Sequence, residues 1–330
     1  MTNFDQLFKD FNELKVVIIG DVMLDTYWWG QVDRISPEAP VPVVALQRKE
    51  HRVGGAANVA LNTVALGAET TIVSVIGSDA DGVLLQSLFE AEQIDTRYLL
   101  TDASRMTTNK TRVMSRNQQM MRLDAEITTP IHSDIEAALL QKFTACLDAK
   151  NPDVVIFEDY DKGVLTPTFI KAAIAICTER NIVMSVDPKK NNFLAYKGVT
   201  LFKPNLKEVK EGLQVPIAAV TLDNLRAVHA ALQTHLAHQI SLITLSEKGM
   251  FFDTGDTAKI IPTHVRSIAD VSGAGDTVIA VASLVYAAAK NIELATEMAN
   301  IAGGLVCEEV GTAAINKAHL LAECKLLLNK

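Results

Sequence analysis

The stretch D-V-S-G-A-G-D-T at residues 270–277 decides how the rest of the chain is interpreted. Two glycines and an alanine stand between small polar residues, and thirteen residues without Gly or Pro follow, V-I-A-V-A-S-L-V-Y-A-A-A-K. A Gly-rich turn that opens onto a helix leaves backbone N–H groups unpaired at the positive end of the helix dipole. Such a helix start binds anions without a lysine, so this stretch predicts a phosphate site.

Asp276 falls in the first turn of the predicted helix, where a carboxylate is favoured. From there it could take a proton from a hydroxyl group that attacks a phosphorus atom. The alternative is a tight turn in which Asp276 only caps the helix, and short motifs of this kind have high false-positive rates. The rest of the chain has to separate the two.

The composition of the 330 residues excludes several classes of protein. A hydrophobic content of 48% supports a large core, and a net charge of −8 argues against a nucleic-acid partner. No run approaches eighteen apolar residues, and the N-terminus lacks the apolar segment of a signal peptide. The four cysteines fit no metal or disulfide spacing. We therefore expect a cytoplasmic protein that binds neither nucleic acid nor membrane.

Short apolar runs alternate with helical patterns along the chain. The run K-V-V-I-I-G at 15–20 is typical of a buried parallel strand, and the alternation continues beyond it. We expect a single α/β domain over residues 1–330. Two segments interrupt the pattern, about 27–52 and about 105–124, and their prolines and polar hairpin character predict a small β-sheet lid.

Polar side chains follow the predicted strands or the turns into helices. Because the carboxyl ends of parallel strands meet at one edge of a sheet, these side chains are expected to line one cleft. Carboxylates suit sugar hydroxyls, and oxygen ligands three residues apart on a helix suit the waters of Mg²⁺. The set predicts phosphoryl transfer from a nucleotide to a polyol. Its members are Asp25, Asp159, Asp187, Asn205, Ser246 and Asp276.

These motifs resemble those of the ribokinase-like (PfkB) carbohydrate kinases over nearly the full chain. G-G-A-A-N-V-A at 54–60 is similar to the first signature of that superfamily, and residues 270–277 are similar to the second. K-P-N-L-K-E at 203–208 resembles its N-x-x-E motif. The resemblance implies a ribokinase-like three-layer α/β/α fold with a mostly parallel sheet and a small β-sheet lid. It also implies ATP as co-substrate together with Mg²⁺.

Residues 20–44, G-D-V-M-L-D-T-Y-W-W-G-Q-V-D-R-I-S-P-E-A-P-V-P-V-V, resemble the D-glycero-β-D-manno-heptose 7-phosphate kinases of lipopolysaccharide precursor synthesis. E-D-Y-D-K-G-V-L at 158–165 and T-T-N-K-T-R-V at 107–113 resemble them as well. The resemblance implies phosphorylation of the anomeric C1 hydroxyl to a 1,7-bisphosphate on the route to ADP-heptose. That family often carries a nucleotidyltransferase domain with an H-x-G-H sequence. None occurs here, so we expect a stand-alone kinase or an excised kinase half.

The same resemblance implies roles for individual residues. Asp276 would be the base that deprotonates the sugar hydroxyl. The N–H groups that would bind the migrating γ-phosphate belong to Gly273, Ala274 and Gly275. Sugar-binding positions are matched by Asp25, Gly54, Gly55 and Asn58, with Asp159, Lys162 and Asp187 as further candidates. Nucleotide positions are matched by Asn205, Glu208, Ser246, Lys248, Gly249 and Asn300, of which Asn205 and Glu208 would also organise Mg²⁺ through water.

Three further expectations concern ions and assembly. Related kinases bind a monovalent cation through residues that match Asp270 and Ser272, but the usual Thr pair is replaced here, so potassium dependence stays open. A sugar 7-phosphate needs a second anion site, for which arginine offers bidentate contacts; a solvated hairpin face is the alternative. In this superfamily lids often pair between subunits, so the resemblance implies a homodimer through the lid, and V-P-V-V-A-L at 41–46 is a natural edge to pair. The candidates for the second anion site are Arg34, Lys110, Arg112, Arg116 and Lys162.

Other functions compete with this interpretation. A kinase of the same fold for another sugar or nucleoside would keep the Asp276 chemistry without a second phosphate site. A non-catalytic sensor of sugar or nucleotide would have no use for a base. A dinucleotide oxidoreductase is disfavoured, because the first strand leads into G-D-V-M-L-D and lacks the G-x-G-x-x-G fingerprint.

Overall fold

A computed structural model describes residues 2–328 except 117, 218 and 265, and within these residues the strands form two sheets. The larger sheet has nine strands and the smaller has four. In chain order the strands are β1 Lys15–Gly20, β2 Val22–Ile35, β3 Pro42–Gly55, β4 Glu69–Gly77, β5 Asp95–Asp102, β6 Asn109–Ser115, β7 Gln118–Ala125, β8 Val154–Glu158, β9 Val183–Asp187, β10 Leu201–Phe202, β11 Ile240–Thr244, β12 Met250–Asp253 and β13 Ala258–Ile261.

The larger sheet is mostly parallel, as the sequence predicts. Its order is β13-β12-β11-β10-β9-β8-β1-β4-β5, and within the described residues two of its pairs are antiparallel, β11 with β12 and β12 with β13. The central strand β1 is buried on both faces because its apolar residues alternate between two cores. Val16 and Ile18 pack into one core, whereas Val17 and Ile19 pack into the other. Each core is closed by a layer of helices, which confirms the three-layer α/β/α architecture.

The helices divide between the two faces of the sheet. The first core takes side chains from α1, α2, α3, α8, α9 and α10, and the second from α4, α5, α6 and α7. Their bounds are α1 Phe4–Asp10, α2 Ala56–Ala65, α3 Ala80–Ala91, α4 Ser133–Lys150, α5 Pro167–Glu179, α6 Leu206–Leu213, α7 Leu222–Leu236, α8 Ala274–Ala289, α9 Ile292–Val306 and α10 Lys317–Leu328. Among the described residues, no helix has both the length and the apolar character needed to cross a bilayer.

The smaller sheet is the lid, with the strand order β3-β2-β6-β7. Its strands extend further than the sequence indicates, because the β2–β3 pairing continues from Ile35 and Pro42 down to Val22 and Gly55. Gly55 then turns the chain directly into α2. The lid is therefore connected to the carboxyl edge of the main sheet, where it can cover a ligand.

Candidate active site

Asp276 lies in the first turn of α8 and is only 3% exposed. Its Oδ2 accepts a hydrogen bond from Asn58 Nδ2 at 2.8 Å, and its Oδ1 accepts one from the Tyr160 hydroxyl at 2.6 Å. Burial raises the pKa of Asp276 to about 6, although both hydrogen bonds favour the charged form. A carboxylate with a pKa near neutrality is suited to act as a general base.

The helix start before Asp276 has the geometry that the Gly-rich motif predicts. Gly273 has φ 77°, and a Cβ there would lie 2.6 Å from Asn58 Nδ2, so only glycine fits. Ala274 N–H makes a long contact of 3.3 Å with the Val271 carbonyl, and Gly275 follows it in the helix. The first N–H groups of a helix have no partner within it, so they can face an anion.

Lys203 adds positive charge beside this helix start, and sequence reasoning missed it. Its Nζ lies 3.7 Å from the point that a Cβ on Gly275 would occupy, and the side chain is buried. Lys203 directly follows β10 and forms an ion pair of 2.8 Å with Asp187. The sequence feature that could have identified Lys203 is a lysine at a strand end, next to the N-x-x-E motif.

Three carboxylates converge at the ends of neighbouring elements: oxygens of Glu158, Asp187 and Asp276 all lie within 4.8 Å of one another. Glu158 and Asp187 are paired across β8 and β9. Lys189 and Lys203 contact Asp187, and they lower its pKa although burial opposes this. Because its charge is balanced by two lysines, Asp187 is better explained as an acceptor than as a ligand of a metal bound by all three.

Glu158 was also missed by sequence reasoning. It is fully buried, and within the part of the chain that the structure describes neither of its carboxyl oxygens has a hydrogen-bond partner. Burial, together with Asp187 and Asp276, raises its pKa well above the ordinary range. Buried polar atoms without partners are costly, so this carboxyl group is a strong candidate to meet hydroxyl groups of a ligand. The signal was the polar last residue of an otherwise apolar strand.

The predicted sugar-binding glycines lie together with Asp25 and Asn58. Asp25 is buried on β2 and forms an ion pair with Arg112. A Cβ on Gly54 would lie 2.3 Å from Asp25 Oδ2, and Gly55 has φ 60°. Both glycines are therefore required for the lid strand to pass close to Asp25 and then begin α2 with Asn58 in its first turn.

The loop after β8 is organised by Asp21, which is buried at the end of β1. Asp21 Oδ2 accepts the backbone N–H groups of Tyr160 at 2.9 Å and Lys162 at 3.1 Å, and Oδ1 accepts that of Val164 at 3.1 Å. Burial raises the pKa of Asp21 to about 6. Its carboxyl group thus holds the segment that brings Tyr160 to Asp276.

Asp159 stands beside this site, but its carboxylate is used inside the protein. Oδ2 accepts from the Tyr196 hydroxyl at 2.7 Å and from Asn192 Nδ2 at 3.0 Å, while Oδ1 accepts from the Asp161 N–H at 2.8 Å. The residue is 1% exposed. These contacts assign it to the wall of the site rather than to its surface.

The five candidates for a second anion site fall into two groups. Lys110, Arg112 and Lys162 lie near Tyr160 and Asp25: Lys110 Nζ is 5.4 Å from the Tyr160 ring centroid, Arg112 pairs with Asp25, and Lys162 forms a 3.0 Å ion pair with Glu126. Arg34 is exposed on the outer part of the β2–β3 pair. Arg116 is exposed between β6 and β7. The structure does not bring Arg34 and Arg116 to the other three.

The predicted nucleotide residues gather along β10–β13. Asn205 caps α6 in a reciprocal capping box with Glu208 and bridges to Thr244 at the end of β11. Ser246, Lys248 and Gly249 form the turn from β11 to β12. A Cβ on Gly249 would lie 2.0 Å from the Ile261 carbonyl, and Asn300 Nδ2 donates to the Pro262 carbonyl at 2.8 Å. These residues share one stretch of the sheet edge.

The donor sets at the two predicted ion sites differ. Glu208 Oε2 accepts from the Asn205 N–H, and Oε1 pairs with Lys189, both at 2.8 Å, which leaves each oxygen a further lone pair for a metal-bound water, and Mg²⁺ here stays a prediction. Asp270 Oδ1 accepts the N–H and hydroxyl of Ser272, and Oδ2 accepts the Gly311 N–H, each at 2.9 Å. Although burial opposes it, these bonds lower the pKa of Asp270. Its carboxylate already holds the turn before Gly273, and potassium dependence stays a prediction.

A buried aspartate at a glycine-rich helix start, at the edge of a mostly parallel sheet beside a smaller sheet, is the arrangement expected of a phosphotransferase with a hydroxyl group as acceptor. Residues 13–318 match the model of the pfkB family of carbohydrate kinases. The chain belongs to this family.

Comparison with known proteins agrees with this assignment. The chain is 39% identical over 325 residues to the bifunctional protein HldE of Geobacter metallireducens, covering 97% of this chain and 64% of that protein. It is 40% identical over 307 residues to the bifunctional protein HldE of Helicobacter hepaticus, covering 93% of this chain and 63% of that protein. The chain thus spans slightly less than two thirds of the length of these relatives.

Solved structures show the same fold at low sequence identity. Phosphofructokinase-2 from Escherichia coli in complex with potassium superposes with a TM-score of 0.79 at 16% identity, covering 96% of this chain and all of the other. Ribokinase from Arabidopsis thaliana complexed with ribose and ATP gives a TM-score of 0.72 at 16% identity, covering 93% and 98% of the two chains. The ribokinase-like fold that the motifs predict is confirmed.

Proposed function

We propose that this protein transfers the γ-phosphoryl group of ATP to the anomeric C1 hydroxyl of D-glycero-β-D-manno-heptose 7-phosphate. The observation that supports the reaction is the position of a buried carboxylate, Asp276, in the first turn of the helix that begins at Gly273–Gly275. The substrate is supported by the similarity to HldE proteins over 97% of the chain and by the motifs at 20–44 and 158–165. The product is the 1,7-bisphosphate, a precursor for ADP-heptose.

The residues divide the chemistry among them. Asp276 accepts the proton of the attacking hydroxyl, and the new O–P bond forms as the bond between the β- and γ-phosphates breaks. The N–H groups at the start of α8 and the ammonium group of Lys203 stabilise the negative charge on the γ-phosphoryl group. Asp25 accepts hydrogen bonds from sugar hydroxyls, and the protonated carboxyl group of Glu158 donates one and can accept another, so the two residues orient the acceptor.

Asn205 and Glu208 are the residues that would hold Mg²⁺, through water. When bound, the ion neutralises charge on the ATP phosphates. The protein contributes the fixed geometry of the capping box, which Lys189 reinforces through its ion pair with Glu208. Removal of Mg²⁺ is therefore expected to abolish turnover of ATP while leaving the sugar site intact.

Lys110 is the best candidate for the 7-phosphate. Arg112 and Lys162 each already hold a carboxylate, whereas Lys110 rests on the face of the Tyr160 ring. Burial and the neighbouring charge of Lys162 lower the pKa of Lys110. A phosphate dianion between the two lysines would relieve their repulsion, and Arg112 can contribute further N–H donors.

The lid is also the surface through which we propose a homodimer. β7 is an edge strand whose eight residues are all exposed, including Met121 at 56% and Leu123 at 46%. Leu46, on the opposite edge strand β3, is 47% exposed. Exposed apolar edge strands are normally covered by a partner. Light scattering on the purified chain tests this: a monomer at micromolar concentration contradicts it.

The experiment that tests the function is ADP release from Mg-ATP with purified protein. Heptose 7-phosphate is compared with ribose, fructose 6-phosphate and adenosine. Turnover confined to the heptose phosphate supports the proposal. Turnover with another acceptor keeps the role of Asp276 but rejects the substrate, and ATP binding without turnover of any acceptor favours a sensor.

A further inference from the structure

Tyr160 makes the shortest contact that the structure gives to Asp276. Its hydroxyl donates to Oδ1 at 2.6 Å, compared with 2.8 Å for Asn58 at Oδ2. Tyr160 stands two residues after Glu158, the end of β8, and its backbone N–H donates to Asp21. This hydrogen bond therefore joins the loop after β8 to the first turn of α8.

The ring of Tyr160 is fixed by two cations. Lys110 Nζ lies 5.4 Å and Lys189 Nζ 5.1 Å from the ring centroid, distances at which an ammonium group is attracted to an aromatic face. The two lysines come from separate parts of the site, one from lid strand β6 and one from the segment after β9. Together with the backbone contact to Asp21, they aim the hydroxyl at Asp276.

The hydroxyl of Tyr160 remains protonated throughout the working pH range. Burial and the negative charge of Asp276 raise its pKa well above the ordinary value. An ionised carboxylate only accepts hydrogen bonds, so the proton of the bond between Tyr160 and Asp276 stays on the tyrosine. Tyr160 is therefore a donor and not a second base.

On the basis of the proposed function, we propose that Tyr160 is a positioning residue for phosphoryl transfer, which holds Asp276 in its charged form and in one rotamer. With one oxygen held by Tyr160 and the other by Asn58, the carboxylate cannot turn about its Cβ–Cγ bond. Each oxygen keeps a lone pair for the attacking hydroxyl. That hydroxyl passes its proton to Asp276 as its oxygen bonds to phosphorus and ADP leaves, while Tyr160 retains its own proton.

Other charged groups surround Asp276 from every neighbouring element, but they act at longer range. Asp187 from β9 favours its neutral form and Lys189 its charged form. Glu158 at the end of β8 lies within the same 4.8 Å cluster, and Lys203 after β10 faces Gly275. A substitution that removes only the Tyr160 hydroxyl leaves these groups in place, so a change in the titration of the base reports on the hydroxyl.

The test is Tyr160→Phe, which keeps the ring between its two lysines and removes one hydrogen bond. We expect kcat at pH 8 to fall about tenfold, with the KM for the sugar within about threefold, because the acceptor site is unchanged. In a plot of kcat/KM against pH, the acidic limb is set by Asp276 near pH 6. Because a hydrogen bond to the charged form is lost, this limb is expected to move to higher pH by about one unit. Folding is checked by urea unfolding.

Tyr196→Phe is the matched control. Tyr196 is also buried, and it also donates to a carboxylate, Asp159, at 2.7 Å. It makes no contact with the base, so its loss is expected to lower stability and leave the acidic limb in place. An equal shift in both variants would mean that the limb reports general loosening of the site and would overturn the assignment.

A second variant tests the same bond in the opposite direction and does not depend on Tyr160→Phe being stable. 3-Fluorotyrosine incorporated at position 160 keeps the hydroxyl, and its electron-withdrawing fluorine makes the hydroxyl a stronger donor. The acidic limb is then expected to move to lower pH. An unchanged acidic limb with both variants, or a fall in KM without a change of the limb in Tyr160→Phe, would show that Tyr160 only competes with the acceptor for its place beside Asp276.

The outcome is distinguishable from failure of the proposed function. If no acceptor supports ADP release by the unmodified protein, the proposed function fails and no pH profile exists. If the unmodified protein turns over heptose 7-phosphate and the limb ignores the Tyr160 hydroxyl, only the role of Tyr160 is rejected.

Discussion

Two buried carboxylates near the edge of the sheet are held by nearly identical sets of donors. Asp276 accepts a tyrosine hydroxyl at 2.6 Å and an asparagine amide at 2.8 Å, from Tyr160 and Asn58. Asp159 accepts the same two groups at 2.7 and 3.0 Å, in this case from Tyr196 and one further asparagine. The immediate hydrogen-bond partners therefore do not distinguish the proposed base, Asp276, from Asp159.

The difference lies in what else surrounds each group. Asp159 accepts a third hydrogen bond, from the Asp161 N–H. Its asparagine partner, Asn192, also donates to the Leu165 carbonyl. Asp276 instead stands at a helix start, with Glu158 close by. The carboxylate of Asp159 is used within the protein, whereas that of Asp276 keeps acceptor capacity towards the cleft.

Asp276→Asn is expected to give the largest effect. The amide keeps the shape of the side chain but cannot take a proton, so kcat should fall by about 10³-fold, within the range for loss of a general base. Binding of Mg-ATP, measured by calorimetry, should remain within a few-fold of the unmodified protein. Retained turnover would assign the base elsewhere and remove the functional contrast with Asp159.

Asp159→Asn is expected to affect stability instead. One of its buried hydrogen bonds becomes mismatched, which costs about 1–3 kcal/mol of unfolding free energy, measured by urea denaturation. The kcat and both KM values should change by less than about threefold. A large rise in the KM for the sugar without loss of stability would return Asp159 to the substrate-binding set, in which its position at a strand end originally placed it.

The apolar strand patterns and the Gly-rich helix start predict the α/β fold, the lid and Asp276, because each depends on local sequence. Both aspartates follow the same local rule, a carboxylate at a strand end or helix start. What separates their surroundings depends on residues far apart in the chain, such as Asn192 with Leu165 beside Asp159, and Glu158 beside Asp276. Local patterns do not contain these contacts.

The same limit explains the residues that were missed. Glu158 ends an apolar strand, and nothing local shows that its carboxyl group is left without a partner. Lys203 precedes a proline in a familiar motif, and only the tertiary structure brings its ammonium group beside Gly275. Arg34 and Arg116 show the opposite case, since their charge indicated an anion site, but Arg34 lies exposed on the outer part of the β2–β3 pair and Arg116 lies exposed just after β6.

The raised pKa of Asp276 predicts a pH-dependent stability difference. Its folded-state pKa of about 6 exceeds its ordinary value of 3.8, so the folded state binds a proton more tightly than the unfolded state. The stability from this proton is fully present below pH 3.8 and is lost as pH rises through 6. Asp276→Asn lacks this titration.

Between pH 4.5 and 7.5, the unmodified protein should therefore lose roughly 2 kcal/mol of unfolding free energy relative to Asp276→Asn. Urea denaturation of both proteins at the two pH values measures the difference. Asp21, whose pKa is also raised, titrates in both proteins and cancels. If the unfolding free energies of the two proteins changed with pH in parallel, burial would not raise the pKa of Asp276.

The rings of the two tyrosines supply the last contrast. Tyr196 packs edge-on against Phe157 at 6.0 Å, whereas Tyr160 lies under Lys110, which also faces Lys162. If Lys110 binds the 7-phosphate, Lys110→Met should raise the KM for heptose 7-phosphate about tenfold and leave the KM for ATP unchanged, since one charge-assisted hydrogen bond is lost. Lys49→Met is the matched control, because Lys49 also sits on an aromatic ring of the lid, Trp28 at 5.0 Å, but is exposed. Equal KM values in both variants would mean that Lys110 only supports the ring, and that the second phosphate is bound elsewhere.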